Sequence, residues 1–94
     1  MATTVQAIDL ITINPTVRNG QPCIVGTSLR VTDVVVASLF HQRAPSDIAG
    51  DYDLSLAQVH AALAYYYSHK TELDALIRRQ VDTAHLMKEQ RLGR

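Results

Sequence analysis

Only one cysteine, Cys23, occurs among the 94 residues. That rules out an intrachain disulfide and suits a reducing compartment. An excess of either charge is missing too, since nine Lys and Arg balance nine Asp and Glu. The chain therefore has no basic coat for nucleic acid. Long apolar runs are also absent, and "VVVASLF", residues 34–40, is far too short to span a bilayer. The opening "MATTVQAIDL" lacks the basic start and apolar centre of a signal peptide. A cytoplasmic protein with no membrane association is expected. His41, His60, His69 and His85 lack the spacing of zinc ligands and the Cys or Glu pairing that accompanies it. Asp47 and Asp51 share a helix face at i, i+4, and their simplest role is near the helix N-terminus, where the dipole favours acids. Cys23 sits between Pro22 and Ile24 and reads as packing rather than as a nucleophile. Nothing resembles a phosphate loop. No catalytic residue, metal or cofactor is expected, and the chain does not read as an enzyme.

What is present is turn chemistry followed by helical patterning. One domain with a single modest core fits this length. "LITI", residues 10–13, is β-branched and stops at Asn14-Pro15, which marks a short strand. "CIV" and "SLRV" flank Gly26-Thr27, the signature of a two-residue type II′ hairpin, and Asn19-Gly20 marks a tight turn upstream. Thr32 predicts the N-cap of a first helix running to about Gln42, with Asp33 in its first turn, although "VVVA" also suits a strand. Pro45 opens a second helix, "PSDIAGDY", and Asp53-Leu54 forms a turn. Ser55 and Gln58 make a capping box for a third helix, whose inward stripe is Leu56, Val59, Leu63 and Tyr66. A last helix, capped near Ser68 or Thr71, carries Leu73, Ile77, Ala84 and Met87 at heptad-like spacing, interrupted by Gln80.

These signals divide the chain into a flexible N-terminus (1–9), a β-hairpin unit (10–31), a helix-turn-helix (32–69) and a C-terminal helix with its tail (70–94). The hairpin edges invite pairing with a second copy, so a homodimer joined through residues 10–31 is expected. A first helix, a short second one, a tight turn and a longer third helix make the plan of a DNA-reading helix-turn-helix, and equally of any small three-helix bundle. On the DNA reading, Ser55, Gln58, Ala61, Ala62 and Tyr65 face the major groove, and Gln58 pairs bidentately with adenine. Arg18, Arg30 and Arg43 supply the phosphate contacts. The same flat face also suits packing against another helix. In "YYY", Tyr66 reads as core, with Tyr65 and Tyr67 flanking it.

"ITINPTVRNGQPCIVGTSLRVTDVV" and "APSDIAGDYDLSLAQVHAALAYYYSHKTELDALI" resemble the bacterial family labelled domain of unknown function number 433. Its pattern is an apolar strand, Asp-Pro, Gly-Lys-Pro-x-Ile-x-Gly-Thr-Arg-Ile-x-Val, then Ser-Pro-Glu-Glu-Ile, Asp-Tyr, Leu-Thr and an alanine-rich helix ending in tyrosines. The resemblance spans about residues 10–80 and implies a mainly α fold: a small N-terminal hairpin, a three-helix homeodomain-like helix-turn-helix and a long C-terminal helix. It also implies an antitoxin role in a type II toxin–antitoxin pair. The partner would be a PIN-like ribonuclease toxin, and operator DNA of the same operon a second ligand. Gln21, Val25 and Ser28 stand where the family often carries Lys or Arg, which removes three phosphate contacts.

Regional charge points the same way. Residues 44–69 hold Asp47, Asp51 and Asp53 with no Lys or Arg, a net of −3, while residues 70–94 hold six basic and four acidic side chains. A neutral recognition helix in an acidic segment is a poor solitary DNA binder. The C-terminal helix is too long to bury its stripe along its whole length, at about 1.5 Å per residue, so part of it must project. The projecting part either pairs with itself in a homodimer or lies across the toxin, with Leu73, Ile77, Arg78, Arg79 and Met87 in contact and the arginines facing the acidic metal site of the nuclease. The alternative function is a protein-interaction module that binds no DNA and only dimerises and holds a partner protein.

Overall fold

The computed structural model describes residue 3 and residues 8–92, with side chains to residue 88. Most of the expected flexible N-terminus, and the last two residues of the tail, lie outside the described residues. β1 (Ile11–Thr12) and β2 (Cys23–Ile24) pair antiparallel, with Ile11 opposite Ile24 and Thr12 opposite Cys23. Asn14 stops β1 because its Oδ1 accepts the backbone N–H of Thr16 at 3.0 Å and its hydroxyl at 2.8 Å. Arg18, Asn19 and Gly20 then take φ of 49°, 57° and 77°, a left-handed run that reverses the chain.

The second turn differs from the two-residue hairpin expected at Gly26-Thr27. The N–H of Thr27 donates to the carbonyl of Ile24 at 3.1 Å, so Val25 and Gly26 are the central residues. Gly26, second of the two, has a φ of 74°, as a type II turn requires. The Thr27 hydroxyl also donates to the Ile24 carbonyl at 2.9 Å, which fixes the turn from the side-chain end. The returning chain pairs only as a bridge between Cys23 and Arg30. Such a short ladder leaves little unpaired edge for a second copy to join.

α1 (Val31–Val35) runs on without a break into a π-helical turn, Val36–Phe40, so the valine run is helical. Its cap is Arg30, two residues before the expected Thr32. The Asp33 carboxylate accepts the backbone N–H of Arg30 at 2.9 Å and its guanidinium at 2.9 Å, so the helix starts earlier. Thr32 is instead buried within the first turn. The helix stops at Phe40, and Gln42, the expected last residue, has a φ of 55° outside it. α2 (Pro45–Tyr52) begins and ends as its sequence implies, with Asp53 left-handed and the Leu54 N–H donating to the Ala49 carbonyl at 2.9 Å. α3 (Leu56–Ser68) is capped by Ser55, whose hydroxyl accepts the Gln58 N–H at 3.1 Å. His69 separates it from α4 (Lys70–Leu92).

The core is built from Ile24, Val31, Val34, Val35, Ile48, Val59, Ala62 and Tyr66, and is closed by Leu73 and Ile77 of α4. The buried stripe of α3 is Val59, Ala62 and Tyr66, with Leu63 half-buried beside it. Leu56, expected inside, is 51% exposed because it is the first residue of the helix, where the chain is still entering from the turn. In α4, Leu73 is 1% exposed while every residue from 81 to 88 is exposed, Met87 at 59%. Leu73→Ala is therefore expected to cost about 2–5 kcal/mol in urea denaturation and Met87→Ala close to nothing. Equal costs at the two positions would contradict this division of α4.

Candidate functional site

The long helix α4 has a rooted half and a projecting half. At the root, the Tyr66 hydroxyl donates to Asp74 Oδ1 at 2.6 Å, and Lys70 Nζ donates to Asp74 Oδ2 at 2.8 Å. The Lys70 ammonium also lies 5.7 Å from the centre of the Tyr66 ring. Hydrogen bonds from Lys70 and Tyr66 hold the Asp74 carboxyl below its ordinary range, and the bond to Asp74, with burial, pushes the Tyr66 phenol up. Nearly two turns further on, Gln80 Nε2 donates to Gln21 Oε1 at 3.3 Å and to Thr32 Oγ1 at 3.4 Å. The polar residue that interrupts the apolar stripe is thus a tie between α4, the turn before β2 and the start of α1.

Beyond Gln80 the helix has two usable flanks. On one side a groove of about 580 Å³ has Leu76, Ala84 and Met87 as its apolar lining and Asn19, Gln21, Arg30, Arg79 and Gln80 as its polar rim. A second groove of about 410 Å³ runs between the arm and α1, with Leu29, Val36, Ala37, Tyr52, Val81 and Ala84 as its apolar lining and Arg30, Asp33, His41 and Gln80 as its polar one, so that Arg30, Gln80 and Ala84 border both grooves. Phe40, 64% exposed, and Leu39 extend the apolar surface at the end of the π turn.

The residues expected to touch DNA are spread over separate tasks. Arg30 is ion-paired with Asp33 at 2.9 Å and Arg43 with Asp51 at 2.6 Å, so two of the three arginines already face carboxylates. The bond to Asp51 also raises the pKa of Arg43. Arg18 is exposed in the left-handed turn. Gln58 Oε1 accepts the Ser55 N–H at 2.8 Å, which commits the atom that a bidentate adenine contact needs. Ala62 is fully buried in the core. Ala61 and Tyr65 line a cleft with Ile8 and Ile11 of the N-terminal strand region, and Tyr65 stacks on His69 at 4.1 Å. Burial there raises the phenol pKa of Tyr65. Within "YYY", Tyr66 is core and Tyr67 exposed, as read from the helical period.

The residues expected to meet the toxin also divide. Leu73 and Ile77 belong to the core of this chain and are closed to any partner. Arg78 and Arg79, being consecutive, point about 100° apart, and only Arg79 lines a groove together with Met87. Ala84 was expected in the apolar stripe of this helix, but Leu29, Val36 and Tyr52 were not foreseen beside it. Tyr52 and Leu29 come from elements far apart in sequence, so no periodicity signals them. Cys23 is buried, and burial pushes its thiol pKa up. Among the described residues no three His, Cys, Asp or Glu side chains gather as a metal site, and no helix is long and apolar enough to cross a membrane.

Residues 11–66 match the family described as "Protein of unknown function (DUF433)", more than half of the chain. The chain belongs to this family. No curated protein and no solved structure matches it. The match ends at Tyr66, so the whole of α4, including its projecting arm, lies beyond it.

The α3–α4 joint carries a pH dependence. A carboxyl whose folded pKa is lowered contributes stability that is present above its unfolded value and lost as pH falls through the folded one. The urea midpoint is expected to fall on acidification below the ordinary carboxylate range, and Asp74→Asn to flatten that fall. An unaltered acid slope in the variant would remove Asp74 from the joint's energetics.

Proposed function

We propose that this member of the DUF433 family is a protein-binding module of the antitoxin type, which holds and neutralises a PIN-like ribonuclease. The observation that carries the proposal is the arm: residues 81–88 are all exposed on a helix rooted in the core, beside a groove of apolar floor and amide–guanidinium rim. An exposed apolar flank of this kind calls for a partner surface, and an amphipathic helix laid against a groove is a common way to supply one. Arg79 stands at the rim, where a guanidinium can pair bidentately with carboxylates such as those of an acidic nuclease site.

Protein binding is favoured over operator binding by the same geometry. Arg30 and Arg43 are paired within the chain, and Gln58 is bound into its own helix cap. Cytoplasmic residence follows from the proposed partner, an RNA-cleaving enzyme.

The test is inhibition of a PIN-like ribonuclease by the full chain and its variants. The double variant Arg79→Glu with Met87→Asp is expected to lose inhibition at least tenfold with an unchanged denaturation midpoint. Gln58→Ala is expected to keep inhibition while losing about 1 kcal/mol of stability as a broken cap. Full inhibition by the double variant would overturn the assignment of this flank. Tight, salt-sensitive and sequence-selective binding of upstream DNA, lost in Gln58→Ala, would restore the DNA reading.

A further inference from the structure

One face of α4 and the turn before β2 enclose the groove beside Arg79. Leu76, Arg79, Gln80, Thr83, Ala84 and Met87 follow at i, i+3, i+4, i+7, i+8 and i+11, so they form a single stripe. At 1.5 Å per residue that stripe runs about 16 Å, the length of about five residues of extended chain. Opposite it stand Asn19, Gln21 and Arg30.

The lining holds two guanidiniums and three side-chain amides, and no carboxylate. The two guanidiniums differ. Arg30 is held by Asp33 at 2.9 Å, whereas Arg79 makes no ion pair among the described residues. Asp82, three residues beyond Arg79, is exposed and stands outside the lining. One unpaired guanidinium calls for one carboxylate.

The amides add a second kind of recognition. The bond from Gln80 Nε2 to Gln21 Oε1 uses the nitrogen of one amide and the oxygen of the other. It leaves an NH2 group on Gln21 and a carbonyl oxygen on Gln80, and neither atom has a partner among the described residues. Both side chains are half-buried. A donor beside an acceptor matches the C=O and N–H of an extended peptide, whose backbone groups are unspent. A helix uses those groups internally and offers the pair nothing. A nucleic acid has no peptide backbone and draws its affinity from several free cations, where this groove has one.

We propose that this groove takes an extended segment of a partner protein that carries a carboxylate next to an apolar side chain, an inference that rests on the reading of α4 as the partner-binding helix. Arg79 pairs with the carboxylate, the Gln21–Gln80 pair holds one peptide unit, and Leu76 and Met87 receive the apolar side chain. A methionine adapts its shape to such an occupant.

The test titrates acetyl-Gly-Leu-Glu-Leu-Gly-amide into the isotope-labelled full chain at millimolar concentration, beside its glutamine counterpart and its backbone N-methylated form. The glutamate peptide is expected to shift the Gln21 side-chain amide and the Arg79 guanidinium signals saturably. The other two peptides are expected to bind at least about fivefold more weakly. Gln21→Glu keeps an oxygen to accept from Gln80 and replaces the free NH2 with an anionic oxygen. That variant is expected to bind the glutamate peptide at least tenfold more weakly and to lose ribonuclease inhibition, with an unchanged denaturation midpoint. Peptide binding by a wild-type chain that inhibits no ribonuclease would support the groove's chemistry and remove only the ribonuclease as its partner. A peptide that leaves the Gln21 amide unshifted would overturn the inference. So would full ribonuclease inhibition by Gln21→Glu, or self-association of the free chain that Gln21→Glu abolishes, which would give the groove to a second copy.

Discussion

Closure of the core by Leu73 and Ile77 is the contact on which the rest of the molecule depends. The helices α1 to α3 contribute mostly valine and alanine to the centre, and Tyr66 is the one large ring among them. Such small side chains leave an open side that β2 covers with Ile24 and α4 covers with its first two turns. Fully burying one aliphatic side chain is worth about 1.5–3 kcal/mol, a large part of the net stability of a domain this small. The joint of Tyr66, Lys70 and Asp74, with Gln80 further along, sets the direction in which α4 leaves the core. A straight helix anchored over its first half has to carry its second half into solvent.

Charge is arranged by the same economy. The sequence is neutral, yet two of the three arginines before the C-terminal helix are spent on local structure, Arg30 on the cap of α1 and Arg43 across to Asp51 in α2. The exposed Arg43–Asp51 pair contributes little to stability, but both pairs commit cations to partners within the chain. Arg18 stays exposed in the left-handed turn, and α4 bears Arg78, Arg79 and Lys88. The chain's adaptable contacts thus lie on α4, beyond residues 11–66 that the family model matches.

Much of this fold was legible from short-range signals. Pro45, Ser55 with Gln58, and Asn14 each act through hydrogen bonds or dihedrals within four residues, and each marks the boundary its chemistry implies. Where two local signals competed, the sequence could not decide. Thr32 is a good cap residue, but Asp33 bonding back to Arg30 starts the helix earlier and leaves Thr32 to the core and to Gln80. Gly26 was recognised as a turn residue, but its position within the turn depends on the Thr27 hydroxyl. The site was less legible. Gln58 served equally as a cap and as a base-reading residue in sequence, and only the closed capping box separates the two. The first groove joins residues 68 positions apart, from Asn19 to Met87, a proximity no periodicity encodes.

Amide hydrogen exchange of α4, free and with the ribonuclease, tests most directly whether the projecting half is a contact surface. In the free chain at nanomolar concentration, amides of residues 73–80 should exchange slowly and those of 81–88 quickly, since only the first half is packed. On saturation with the PIN-like ribonuclease, residues 79–88 should become protected while α3 stays unchanged. Protection of residues 55–65 with no change along the arm would contradict the assignment of partner binding to α4.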